Sequence, residues 1–457
     1  MSSVRLNVEN QRKYFNSNVT KPLEFRMEQL KKLKELVISN QQKIIDALKA
    51  DLKKSEVEAY ISEIGLVLKE INYTLKHLKK WQKPKRMPTP WSLKPGSAKI
   101  ISEPYGVTLI ISPWNYPFQL AIAPAIGAMA AGNTIVLKPS ELATQTEKLL
   151  AEMINSNFDS QYFCVITGGK DVGQELLKQK FDFIFFTGST AVGKIVMSAA
   201  AENLTPVCLE LGGKSPCIID ESANLEVAAR RVIWGKFFNA GQTCIAPDYL
   251  YVHESIKTTF LSLLKKNIRK FYGENEFKSN DYGKIISKDH FDRIYKLIEG
   301  SKILYGGDQN KEAQFISPTL LEVSSWDEKI MQEEIFGPAL PILSYTDIDE
   351  VISVVKSKDR PLALYIFSTN NLQIDKVLNE LSFGGGSVND CLIHFSSTEI
   401  PVGGVGASGM GRYHGKYTFD TFTHQKAILT KSYFFDLDLR YPPYTEKKFN
   451  LMKKFLK

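Results

Sequence analysis

FDFIFFTGSTAVG (181–193) reads as a short, continuously apolar strand that runs into a turn bounded by Gly188 and Gly193, after which a helical pattern begins. An unbroken apolar run of this length belongs to a strand covered on both faces, the usual state of a parallel sheet. The pattern repeats outward in both directions. Apolar runs at 107–112, 134–137, 163–166 and 207–211 alternate with helical patterns at 118–131, 144–155, 171–178 and 191–201. Strands that alternate with helices give an α/β fold, a doubly wound nucleotide-binding layout. The turn is not the GxGxxG dinucleotide fingerprint. Its glycines still admit close backbone approach, and the helix N-terminus behind them favours a phosphate; an ordinary tight turn is the other reading.

Composition narrows the function. The chain has 457 residues, 43% hydrophobic and 24% charged, which suits a globular protein of more than one domain. Half of its +8 net charge comes from the last thirteen residues, where five lysines face Glu446 alone. The body is therefore close to neutral, which argues against a nucleic-acid groove. Five cysteines, at 164, 208, 217, 244 and 391, make an odd count without a CxxC pair. That fits a reducing compartment and no metal site. Residues 1–20 lack the apolar core of a signal peptide, so a cytoplasmic location is the expectation. Residues 105–137 carry no charge, but prolines at 113, 117 and 124 and the Gly132-Asn133 pair divide them into strand, loop, helix and strand rather than a membrane span.

Two long helical patterns, 24–52 and 56–81, open the chain as core-facing scaffold, and a proline-crowded stretch, 83–104, follows. Beyond Gly241 strands and helices alternate again to about residue 387, consistent with a second α/β domain. The tail interleaves Phe449, Met452 and Phe455 with lysines. A frayed, solvated end is one reading, and weak peripheral contact with an anionic membrane is the other.

Three residues stand out as chemistry. Cys244, in NAGQTCIAP (239–247), sits among small residues that leave room for a substrate. On local sequence it is either a reactive thiol or, the commoner case, a small buried hydrophobe. Glu210 ends an apolar strand just before Gly212-Gly213, where a carboxylate must be solvated, paired or used. It either meets Cys244 in the crevice at the strand ends or pairs with Lys214. Asn115 follows a strand directly and is either an oxyanion donor or a turn asparagine.

Taken together, SPWNYP (112–117), GNTIVLKPSE (132–141), FTGSTAVGK (186–194), LELGGKSP (209–216), NAGQTC (239–244), EEIFGP (333–338) and PVGGVGASGMGRYHGK (401–416) resemble, in order and spacing, the aldehyde dehydrogenase superfamily. Ile245 and Asp248 after the cysteine, and Tyr413 to Lys416 near the end, resemble its class 3 branch of fatty- and carotenoid-aldehyde oxidisers.

The resemblance implies NAD(P)-dependent oxidation of an aldehyde to an acid. Cys244 would form a thiohemiacetal and then a thioester, Asn115 with the Cys244 N–H would hold the oxyanion, and Glu210 would activate water. Lys138 and Glu141 would reach the adenosine ribose; Gly188, Ser189 and Gly193 would flank the pyrophosphate; Glu334 and Phe336 would contact the nicotinamide half. Glu141 disfavours a 2′-phosphate by like-charge repulsion, so NAD is expected, with NADP tolerated. The implied division is a nucleotide-binding domain at 1–82 and 104–210, a catalytic domain at 211–393, a β arm for oligomerisation at 83–103 and 394–430, and a tail at 431–457. The arm would pair near Ser97 to Ser102 in a homodimer. The resemblance also places residues 383–389 and His414 near the aldehyde tunnel, although a structural histidine is an equal reading of His414. Two readings from other classes stand beside it: a thiol hydrolase using Cys244 and Glu210 without a nucleotide, and an idle binding homologue. The second predicts loss of a key group, yet Cys244, Glu210 and Asn115 are all present.

Overall fold

The computed structural model describes residues 3–90 and 93–455. The apolar run around residue 181 becomes the strand Phe183–Thr187, central in a six-stranded sheet. The sheet order is Gly409–Met410, Val207–Glu210, Phe183–Thr187, Val107–Ile111, Thr134–Lys138, Phe163–Val165. All neighbours are parallel except Gly409–Met410, which is antiparallel to Val207–Glu210. Side chains alternate across each strand, so Leu109, Ile184 and Phe186 pack on one face while Ile110, Phe183 and Phe185 pack on the other. That two-sided burial is why the strands read as unbroken apolar runs.

One face is covered by Leu23–Ser39, Gln41–Leu52, Gly65–Trp81, Gln119–Ala131 and Thr144–Asn155. The other carries Ser3–Asn16, Lys170–Leu177 and Thr190–Ala201. The charge-free stretch resolves into strand, loop and the wholly buried helix Gln119–Ala131. Among the described residues, no helix is long and apolar enough to cross a membrane.

The N-terminal helices depart from expectation. The pattern at 24–52 breaks at Asn40, whose side-chain amide donates to Leu36 O at 2.9 Å and competes with the helix ladder. The pattern at 56–81 carries a π-helical turn, Tyr60–Ile64, between two α-helical pieces. Here Glu58 and Glu63 are buried instead of facing solvent. Ser3–Asn16 was not anticipated, since only Val4 and Val8 of its apolar side are buried; Gln11 anchors it by donating to Ile135 O at 2.8 Å.

A seven-stranded sheet follows, in the order Lys302–Tyr305, Thr319–Glu322, Ala339–Tyr345, Tyr249–His253, Pro216–Ile219, Ala363–Phe367, Gly385–Val388, built around its own core. A third sheet joins Lys85–Met87, Gly96–Pro104 and Thr423–Lys431, the last two antiparallel over nine pairs from Thr423↔Pro104 to Lys431↔Gly96. Within residues 394–430, Gly409–Met410 joins the six-stranded sheet instead.

Candidate active site

Parallel strands gather the site at their carboxyl ends, where the chain turns from strand to helix. Asn115 lies just beyond Val107–Ile111, Gly188 and Ser189 beyond Phe183–Thr187, and Glu210 closes Val207–Glu210. These four line one cavity of about 370 Å³ with Cys244, Glu334 and Phe336. Lys138, Glu141 and Gly193 lie outside its lining. Lys138 ends the neighbouring strand Thr134–Lys138, and its ammonium donates to Glu141 Oε2 at 2.8 Å. Gly193 sits in the helix Thr190–Ala201, where a Cβ would come within 2.7 Å of Leu211.

Cys244 reaches the cavity on a loop that few sequences could form. Asn239, Ala240 and Gly241 have φ of 53°, 51° and 74°, three successive left-handed residues. A Cβ on Gly241 would lie 2.3 Å from Gly337 O, so this position needs glycine for space as well as for its φ. Side chains hold the loop. Asn239 Nδ2 donates to Asn115 O at 2.8 Å, and Asn115 Nδ2 donates to Gln242 O at 3.0 Å. Gln242 in turn donates to Asn239 O and accepts from the Ile286 N–H, both at 3.0 Å.

The other four cysteines are buried in the core, while Cys244 also lines a second cavity of about 260 Å³. Ile61, Leu66, Trp234, Phe238, Ile245 and Phe395 make this an apolar tunnel. The thiol thus stands where an apolar channel meets a more polar crevice. His414 and residues 383–389 are absent from the tunnel lining. His414 packs edge-on against Phe395 at 4.7 Å, and burial lowers its pKa to about 4.

Burial favours the protonated forms of Cys244, Glu210 and Glu334, which line the cavity. Burial, with the Glu334 and Glu210 carboxyls nearby, pushes the Cys244 thiol up to about 12, against the backbone N–H groups of Cys244 and Ile245 that favour the thiolate. Burial raises Glu210 well above the carboxylate range, and the Cys208 thiol donates to its Oε1 at 3.7 Å. Lys214, the alternative partner for Glu210, is bound to Asp248 at 2.5 Å. Glu334 rises to about 8 through burial and the neighbouring Asp248. It closes so tightly on the backbone that a Cβ on Gly212 would meet Oε2 at 2.1 Å.

Sequence reasoning missed the aromatic wall of the crevice, in which Trp114 packs on His290 at 4.8 Å and on Phe336 at 5.3 Å. It also missed Arg293, which donates to Glu334 O at 3.2 Å and Ile335 O at 2.6 Å and so clamps the loop carrying Glu334. His290 and Arg293 have no local signal, since both are brought in on helix Lys288–Ile298 from across the fold. Among the described residues no cluster of His, Cys, Asp and Glu could hold a metal.

Comparison with known proteins bears on this geometry directly. The aldehyde dehydrogenase family matches over residues 2–428. The 4,4'-diaponeurosporen-aldehyde dehydrogenase of Staphylococcus aureus is 50% identical over 446 residues, covering 97% of each chain. Aldehyde dehydrogenase family 3 member A2 of Mus musculus is 46% identical over 447 residues, covering 97% of this chain and 92% of the relative. A substrate-bound structure of Staphylococcus aureus AldH superposes with a TM-score of 0.98 at 49% identity, over 100% of both chains. With a lone accessible-side thiol at the junction of two cavities and this likeness over almost its whole length, the chain belongs to the aldehyde dehydrogenase family, in its class 3-like branch, and is an NAD(P)-dependent aldehyde-oxidising enzyme.

Proposed function

We propose that Cys244 is the nucleophile, Asn115 the oxyanion donor and Glu210 the base that delivers water, acting on an apolar aldehyde. The observation that carries this is the position of Cys244 in the lining of both cavities. The aldehyde enters along the apolar tunnel and presents its carbonyl carbon to the sulfur. As the sulfur adds and its thiol proton is lost to solvent, negative charge moves onto the carbonyl oxygen, where the Asn115 amide and the Cys244 N–H stabilise it; one such donor is worth ~3–4 kcal/mol. When bound, a nicotinamide would supply the hydride acceptor, and the thiohemiacetal on Cys244 would then become a thioester. Glu210 then takes a proton from water, whose oxygen attacks the acyl carbon and releases the acid and the thiol. Burial makes Glu210 a stronger base once ionised.

The residues present fit a dinucleotide. The N-terminus of helix Thr190–Ala201, capped by Ser189 Oγ, favours pyrophosphate beside Gly188, with Gly193 keeping the helix close to Leu211. Lys138 with Glu141 offers a donor and an acceptor to the ribose hydroxyls, while Glu334 and Phe336 line the crevice on the nicotinamide side. Burial works to raise Glu141, but its bond from Lys138 and its charge outweigh this and leave it below the usual range. An ionised carboxylate here repels a 2′-phosphate, which supports NAD over NADP.

Among the described residues, the nine-residue strand Thr423–Lys431 leaves one edge without a partner in the three-stranded sheet, which supports edge pairing in a homodimer. Beyond it Tyr433 and Phe434 are fully exposed ahead of the basic helix Glu446–Phe455, which supports peripheral contact of the tail with an anionic membrane. Leu456 and Lys457 of the tail lie outside the described residues.

Rapid quench with intact-protein mass spectrometry tests the core of this reading. Glu210→Gln, given an apolar aldehyde and NAD, should accumulate an acyl group on Cys244, and Cys244→Ala should make no NADH while still binding NAD. Hydrolysis at the wild-type rate in Glu210→Gln, or turnover in Cys244→Ala, would remove the residue from its role.

A further inference from the structure

Lys54 and Glu63 form an ion pair whose side chains are both 0% exposed, with Nζ and Oε1 2.5 Å apart. Removing two charges from water costs several kcal/mol each, and their attraction does not reliably recover it. What the pair holds gives it a use. Lys54 Nζ also donates to Asn115 O at 3.1 Å and lies 4.0 Å from the centre of the Tyr116 ring. Glu63 Oε2 accepts the N–H groups of Phe118 at 2.8 Å and Gln119 at 3.1 Å, at the start of the helix that follows. The pair therefore holds both ends of the 115–119 turn, the Lys54 ammonium at Asn115 and Glu63 at Phe118 and Gln119.

The same ammonium connects to the nucleophile loop by two paths. Asn115 O, besides accepting from Lys54, accepts from Asn239 Nδ2 at 2.8 Å. The Tyr116 hydroxyl shares a hydrogen bond with Thr243 Oγ1 at 2.6 Å, one residue before the thiol. Neither Lys54 nor Glu63 lines either cavity at Cys244.

We propose that Lys54–Glu63 is a positioning pair that aligns the Asn115 amide with the Cys244 loop, so that oxyanion donor and nucleophile meet the same carbonyl group. This rests on the roles given above to Asn115 and Cys244. The pair touches no reacting atom; it sets the distance between two groups that do. A misplacement of ~1 Å in such a constellation costs about a hundredfold in rate.

The test uses Lys54→Met with Glu63→Gln, which removes both charges of the pair together. In protein that melts and binds NAD as wild type does, kcat for aldehyde oxidation should fall at least about tenfold while KM stays within about twofold. In an Asn115→Ala background the same double change should cost less than about twofold more, because groups acting as one unit are not additive. A kcat near wild type, or a full multiplicative loss on top of Asn115→Ala, overturns the proposal. If the double variant does not fold, Tyr116→Phe, which deletes only the hydroxyl on Thr243, is read instead: lower kcat at unchanged KM supports the proposal, and unchanged kcat overturns it. Asn115→Ala alone separates the two failures. An impaired Asn115→Ala with an unimpaired pair variant sinks only the pair's role, whereas wild-type turnover in Asn115→Ala removes the oxyanion assignment beneath it.

Discussion

The Asn115 side-chain amide donates to the Gln242 carbonyl at 3.0 Å, two residues before the thiol. One amide proton is thus spent on fixing the group, and the other is available to a developing oxyanion. Asn115→Ala is expected to lower kcat/KM by about 10²–10³ at unchanged NAD affinity, measured by steady-state NADH production.

Gly241→Ala confronts both the positive φ and the 2.3 Å approach to Gly337 O. The strain is worth about 1–3 kcal/mol, and relief requires the Cys244 loop to move. Aldehyde oxidation should fall at least about tenfold, with a lower denaturant midpoint. Unchanged activity and midpoint would show that the loop relaxes without moving the thiol.

Alkylation of Cys244 reports its ionisation. With the thiol pushed up to about 12 by burial, then by Glu334 and Glu210, the thiolate fraction should climb about tenfold per pH unit between pH 7 and 10. The iodoacetamide rate in the ligand-free protein should follow it. Glu334→Gln removes a charge that opposes the thiolate, so its curve should lie above that of wild type at pH 9.

Glu58 gives the fold a pH dependence. Its carboxyl accepts the Asn239 N–H at 3.0 Å, and burial raises it to about 7 despite Lys54 nearby. A folded value above the unfolded one means that its stabilising share is complete below about pH 4.5 and is lost as pH rises through 7. Over that window the loss approaches about 3 kcal/mol. Glu58→Gln should therefore raise the melting temperature relative to wild type at pH 8 and not at pH 5.

Linear aldehydes of increasing length measure the tunnel. Each methylene buried against Ile61, Leu66, Phe238 and Phe395 gains ~0.8 kcal/mol, so kcat/KM should rise about two- to fourfold per carbon until the tunnel is filled. A flat series would place the substrate chain elsewhere.

Much of the sheet was legible because its physics is local. The helix at 144–155 came out with the same bounds, and the strand read at 107–112 is Val107–Ile111, since burial on both faces writes an unbroken apolar run. Glu58 and Glu63 were not legible. In a helical pattern they look like its wet side, yet both are buried, Glu58 against the Asn239 N–H and Glu63 against the N–H groups of Phe118 and Gln119. His414 shows the opposite case: it sits in a motif of the family, yet the fold puts it behind Phe395 rather than in the tunnel.

By itself the sequence determined the alternation of strands and helices, the one cysteine in a setting of small residues and the order of motifs, because these depend on neighbours along the chain. The tertiary structure alone decided which residues share the site. It set the Asn115 amide on Gln242, seated Arg293 on the Glu334 loop and ran the Lys54 ammonium to Asn115 O. These contacts join residues 41 to 127 positions apart, and their geometry is fixed by the packing of whole elements, which no local pattern encodes.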